Sequence, residues 1–239
     1  MTCERPQVQI LYRSLKKGGE VRGSSPLSPT MEIIYEDENL LVIDKPAGVN
    51  ADDFEKRIHR LDKDTSGILL IAKNDRALDF FQKQFQNGTV VKKYLALVVG
   101  KPSSLNGQIE TLIGRSLKDR KKQKVYLPNE PDSQRKGLRK AITEYKVIQQ
   151  FKNYSLLEIQ PKTGRKHQIR CHLAYLGQPV AGDKIYGFKN QALPQGLKRQ
   201  FLHASYLRIK LPNGKEREFK SELPEDLKIN PDLSGEKLK

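Results

Sequence analysis

Cysteine is almost missing from this sequence of 239 residues: Cys3 sits beside the amino terminus, Cys171 lies in a basic run, and there are no others. Two thiols cannot build a disulfide framework or a Cys-rich zinc site, so the chain must rely on an ordinary core and is expected in a reducing cytoplasm. Long apolar runs are also lacking, and neither end reads as a basic amphipathic helix, which argues against a membrane-spanning or membrane-surface protein. The opening residues, Met1-Thr2-Cys3-Glu4-Arg5-Pro6, have none of the apolar stretch of a secretory signal. The sequons at Asn87 and Asn153 are accordingly expected to stay unglycosylated. No internal repeat is visible.

Acidic residues are the second deficit. There are 28 Asp and Glu against 44 Lys and Arg, a formal charge of +16. Such an excess attracts a polyanion, nucleic acid first of all. With 36% hydrophobic and 30% charged residues the composition is that of a folding chain, and the length suits one large domain.

Residues 1–30 end in Gly-Ser-Ser-Pro-Leu-Ser-Pro and read as an arm or linker. A domain is expected over 31–225, with 226–239 as a frayed, mixed-charge tail. Ile33-Ile34-Tyr35 and Leu40-Leu41-Val42-Ile43 predict a hairpin of strands, stopped by Lys45-Pro46-Ala47-Gly48. Ile68-Leu69-Leu70-Ile71-Ala72 predicts a strand buried on both faces. A helix capped by Asn74 or Asp75 follows, with Leu78, Phe81 and Phe85 on one face and Asn87-Gly88 at its end. Further strands are expected at 90–99, 140–151, 154–160 and 201–211, and a short helix between Gly164 and Gly177. Residues 115–140 read as a long basic loop carrying Lys118, Arg120, Lys121, Lys122 and Lys124, suited to RNA contact.

The run His59-Arg60-Leu61-Asp62-Lys63-Asp64-Thr65-Ser66-Gly67 sets two carboxylates among basic residues just ahead of the buried strand. Local chemistry alone leaves three readings open. Asp62 is a desolvated catalytic carboxylate, or the Asp62/Asp64 pair holds Mg²⁺ for phosphate chemistry, or Asp64, Thr65 and Ser66 merely brace a turn. The second is weak, because the phosphoaspartyl pattern opens after a hydrophobic strand and here the strand follows. His59, His167, His172 and His203 lack the spacing of a metal set, so no metal is expected.

His59 through Leu70 resembles the signature segment of the RluA-type RNA pseudouridine synthases. The likeness extends, in order, to Ile43-Asp44-Lys45-Pro46-Ala47-Gly48, Lys93-Tyr94-Leu95-Ala96, Lys162 through Leu173, Gly182-Asp183-Lys184-Ile185-Tyr186-Gly187 and Leu202-His203-Ala204. The resemblance runs from about 32 to about 225. It implies an α+β fold in which a long, bent, mainly antiparallel sheet is flanked by helices and crossed by an RNA cleft. It implies isomerisation of uridine in RNA, ribosomal rather than transfer, with no cofactor; the protein is expected to be a cytoplasmic monomer. Asp62 matches the catalytic aspartate and Tyr94 the active-site tyrosine that stacks on uracil. Arg170 is the expected charge partner of Asp62 and Arg165 a phosphate ligand; Arg60 matches the residue that fills the space of a flipped base, or else braces the turn through hydrogen bonds; His59 joins the RNA contacts. A non-catalytic RNA-binding or ribosome-assembly factor of the same fold is the rival. It draws only on one departure from the pattern: the connection from Val49 to Ile58 is ten residues, shorter than is usual in relatives. Many relatives carry an amino-terminal S4 module, and the thirty residues before Met31 read as too short for one.

Overall fold

The computed structural model describes residues 31–230 and, as backbone alone, 234–237, so the expected arm at 1–30 lies outside the described residues. Within the span read as one catalytic domain, the described residues gather into two compact units: 31–90 with Ala204–Glu222, and Val91–His203 with the residues after Glu222. Among the described residues, many strands and two α-helices make the fold α+β.

In the first unit the strand order is β1 (Glu32–Glu36), β2 (Leu40–Lys45), β3 (Ser66–Ala72) and β10 (Leu202–Lys210), with β11 (Glu216–Lys220) on β10. All seven β3 residues are buried, as expected of a continuous apolar run in a central strand. At Gly67 φ is +111°, and a Cβ there would stand 2.3 Å from the Ala204 carbonyl oxygen, so only glycine lets the two backbones approach. Helix α1 (Asp75–Gln86) begins where Asn74 accepts the Ala77 N–H at 2.8 Å. Its Ala77 and Phe81, one turn apart, are buried, and Leu78 and Phe85 pack beside them. They meet Leu40, Val42, Ile68 and Leu70 from one side of the chain, and Leu207, Ile209 and Phe219 from the other.

The second unit orders its strands β4 (Val91–Val99), β8 (Tyr154–Pro161), β7 (Arg139–Gln150), β5 (Asn106–Arg115) and β6 (Gln123–Tyr126), each neighbouring pair antiparallel. Helix α2 (Gln168–Tyr175) lays Ile169 and Leu173 on Ala96, Val98, Leu157 and Ile159. The basic segment 115–140 is therefore not one long loop. Gln123–Tyr126 pairs with Leu112–Arg115, and Tyr126 is 1% exposed with its hydroxyl on the Arg115 carbonyl at 3.1 Å. Four residues, of which only Val125 and Tyr126 are apolar, offer too little periodicity to reveal that strand.

The carboxyl-terminal stretch also differs from a frayed tail. Leu227 is 1% exposed against Leu97, Tyr154, Leu197 and Phe201, and Asp226 takes Arg199 at 2.6 Å and 3.0 Å. Beyond it, β12 (Ser234–Lys237) pairs with β9 (Ala192–Pro194). Three apolar residues, Leu223, Leu227 and Ile229, anchor a segment that also carries Glu222, Glu225, Asp226 and Lys228. Among the described residues no helix is long and apolar enough to cross a membrane.

Candidate active site

The Asp62 segment is held by a buried cation. Lys45 is 0% exposed, and its Nζ donates to the carbonyls of Pro46 (2.9 Å), Val49 (2.9 Å) and Lys63 (3.1 Å). The Gly48 N–H reaches the same Lys63 carbonyl at 2.9 Å, and the Thr65 N–H closes a turn on the Asp62 carbonyl at 3.0 Å. An ammonium is tolerable away from water only when carbonyl oxygens replace its hydration. These three do so, and they tie the Lys-Pro-Ala-Gly turn to the backbone at Lys63, next to Asp62. Asp62 itself is half-buried, between buried Leu61 and an exposed Lys63.

The preceding connection is short but packed. Val49, Ala51, Phe54 and Ile58 are buried, and Asn50 caps a single 3-10 turn over Ala51–Asp53. Asp52 faces both neighbouring arginines, Arg57 at 2.8 Å and Arg60 at 3.5 Å. His59 stacks on Phe85 with ring centroids 4.8 Å apart, and its Nε2 accepts the Leu70 N–H at 3.2 Å. The ring is thereby engaged with α1 and β3, while Arg60 is exposed.

In the second unit, Tyr94 lies on β4 opposite Ile159 and packs on the core shared with Ile169 and Leu173 of α2. Arg170, on that helix, forms a buried two-point ion pair with Asp183: Nε to Oδ2 at 2.7 Å and Nη2 to Oδ1 at 2.8 Å. Burial alone would raise the Asp183 carboxyl; Arg170, helped by the Tyr186 and Ile185 N–H groups, outweighs it and holds the group below its ordinary value. Asp183 is a residue to which sequence reasoning gave no role of its own.

A buried polar network seats α2. His172 is 0% exposed, its Nε2 3.0 Å from the Thr111 hydroxyl and its Nδ1 2.8 Å from that of Thr143. A neutral ring satisfies both, donating at one nitrogen and accepting at the other, and burial pushes its pKa down to about 4. Gln168 donates to Thr143 and to the Ile142 carbonyl, and accepts from Thr163 and the Arg165 N–H. Arg165 itself gives its Nε to the Lys140 carbonyl at 3.0 Å. Lys118, Arg120 and Lys121 are exposed on the turn between β5 and β6, which Asp119 organises by accepting the Lys121 N–H at its side chain and the Lys122 N–H at its carbonyl. Among the described residues no three His, Cys, Asp or Glu side chains gather as a metal site.

Of the residues singled out from sequence, His59, Arg60 and Asp62 belong to the first unit, and Tyr94, Lys118, Arg120, Lys121, Arg165 and Arg170 to the second. The resembling blocks thus supply both a fixed carboxylate-bearing turn and a fixed arginine. Comparison with known proteins agrees with them. A family model described as RNA pseudouridylate synthase matches residues 55–175. Ribosomal large subunit pseudouridine synthase D of Borreliella burgdorferi is 34% identical over 245 residues, covering 90% of this chain and 72% of that protein. A Chloroflexus aurantiacus protein named as an uncharacterized RNA pseudouridine synthase is 45% identical over 173 residues; the match spans 72% of this chain but only 51% of that protein. The solved structure of human RNA pseudouridylate synthase domain containing 1 superposes with a TM-score of 0.71 at 26% identity, over 88% of this chain and 94% of that one. The chain belongs to the RluA-type RNA pseudouridine synthases, enzymes that isomerise uridine in RNA.

Proposed function

We propose that this protein converts specific uridines of structured RNA to pseudouridine, with ribosomal RNA the substrate rather than transfer RNA. The observation that carries the reading is its kinship, over nine-tenths of the chain, with a protein named as a ribosomal large subunit synthase. Asp62 supplies the carboxylate, acting at the sugar or the base as nucleophile or as proton acceptor. The C1′–N1 bond breaks, uracil turns, C1′ joins C5, and the C5 proton is exchanged for one on N1. Atoms and charge balance without a metal, an organic cofactor or an energy source. Arg170 is the counter-charge of the carboxylate, Tyr94 stacks on the uracil, and Arg60 fills the space that the flipped nucleotide leaves.

Arg165, His59 and the exposed cations Lys118, Arg120 and Lys121 hold the RNA. The enzyme works as a cytoplasmic monomer. The test is incubation with uridine-containing ribosomal and transfer RNA followed by mapping of pseudouridine: the wild type yields product on ribosomal RNA and Asp62→Asn yields none. Equal product from Asp62→Asn overturns the catalytic assignment. Replacing Lys118, Arg120 and Lys121 together by Ala should lower the slope of log affinity against log salt by roughly 2 to 3, because each lost phosphate contact removes about one unit. An unchanged slope removes that turn from the RNA interface.

A further inference from the structure

The Arg170–Asp183 pair is over-determined for an element that only stabilises. Both side chains are out of water, at 5% and 0% exposure. A buried ion pair typically returns little net stability, because desolvation offsets its attraction. Yet every degree of freedom of this one is taken up. Asp183 Oδ1 also accepts the N–H groups of Ile185 (2.8 Å) and Tyr186 (3.0 Å), so the carboxylate cannot rotate without losing both. The Tyr186 ring lies 5.3 Å from Arg170 Cζ, and its hydroxyl accepts the Gln123 N–H at 2.7 Å while standing 3.1 Å from His167 Nδ1. Just before Asp183, Gly182 has φ +75°, and a Cβ there would stand 2.2 Å from the Arg199 carbonyl oxygen, so the backbone leading into the carboxylate is pinned as well.

We propose that Asp183 is a positioning residue for Arg170: by gripping Nε and Nη2 it fixes the guanidinium plane, and with it the direction in which the Nη1 end of the ion points. A single carboxylate meeting an arginine end-on leaves the plane free to turn; a side-on fork does not. Asp183 also shares the charge of Arg170, so the direction of the Arg170 donors matters to the reaction beside its charge. Tyr186 is the wall behind the plane. This inference rests on the reading of Arg170 as the partner of the reacting carboxylate.

The experiment compares wild type, Asp183→Asn, Asp183→Glu, Arg170→Ala and the double variant Arg170→Ala/Asp183→Asn in single-turnover pseudouridine formation and in RNA affinity, with folding monitored by circular dichroism. Asp183→Asn is expected to slow the reaction about 100-fold, the order of loss that misplacing a positioned group produces, with RNA Kd unchanged. Asp183→Glu, with the charge restored but displaced by one methylene, should be intermediate. The double variant should be no slower than Arg170→Ala alone. A folded Asp183→Asn enzyme at full speed, or losses that multiply in the double variant, overturns the proposal. Should Asp183→Asn fail to fold, a folded Asp183→Glu enzyme at wild-type speed overturns it equally, and a slowed one at unchanged Kd supports it. Wild-type protein that makes no pseudouridine overturns instead the functional reading on which the proposal stands.

Discussion

Asp62 and Arg170 are each immobilised, but by opposite means. In the first unit a single buried cation, Lys45, grips backbone carbonyls at Pro46, Val49 and Lys63, so what is fixed is the path of the main chain. In the second unit a buried carboxylate grips the guanidinium itself, so what is fixed is the side chain beyond its rotamer. A short side chain such as aspartate needs only its backbone placed. A long one such as arginine has several torsions left over, each with an entropic cost to freeze, and requires a second group at its far end.

The contrast can be broken most strongly at Lys45. Lys45→Met takes the donor away from the Pro46 and Val49 carbonyls, while Lys63 keeps the Gly48 N–H, and should destabilise the protein by roughly 3 kcal/mol, each stranded acceptor costing about 1–3 kcal/mol; urea unfolding checks this. If main-chain placement is what Lys45 supplies, any folded fraction should lose activity in parallel. Next comes His172, which seats the arginine-bearing helix. Its folded pKa of about 4 lies below the ordinary 6.5, so the unfolded chain takes up a proton first as pH falls. Its contribution is whole above pH 6.5, declines from 6.5 to 4 and is level below. The loss is at most about 3 kcal/mol, at about 1.4 kcal/mol for each unit of pKa difference. Urea midpoints at pH 7, 5.5 and 4.5 should fall less steeply for His172→Gln than for wild type; equal slopes would show that His172 does not titrate in this window.

The smallest effect is expected at Asp52. Its pairs with Arg57 and Arg60 are half-exposed, and Asp52→Asn should change stability by less than about 1 kcal/mol. A larger loss would mean that the short Val49–Ile58 connection depends on its charges, rather than on buried Val49, Ala51, Phe54 and Ile58.

Much of this was legible in the sequence, and the rest was hidden for identifiable reasons. The β3 run, a cap at Asn74 or Asp75 and the Leu78/Phe81/Phe85 face of α1 show because local pattern and tertiary role coincide, though Ala77, buried beside Phe81, was not read. β11 escaped because in Glu-Arg-Glu-Phe-Lys only Phe219 is buried, and a single apolar residue makes no period. Asp62, Tyr94 and Arg170 were nameable only through resemblance to a family. The role of Lys45 was not, since a lysine ending a strand reads as solvated until the carbonyls around it are known. Asp183 was quoted as part of a resembling block, but its partner lies thirteen residues away, beyond any local rule. The ten-residue connection, which drew attention as a departure from relatives, turns out to be closed by its own apolar side chains.

The first unit is discontinuous, and this bears on how the protein is made. Residues 31–90 leave the ribosome before residues 204–222, with the Lys45-to-Lys63 closure spanning only eighteen positions, a short loop at modest entropic cost. The core beneath that turn also needs Leu207, Ile209, Leu211 and Phe219, and the backbone that Gly67 is shaped to meet belongs to Ala204. During synthesis the turn bearing Asp62 can form long before the strand that completes its sheet exists. In the order of translation, it is written before residues 91–203 and finished after them.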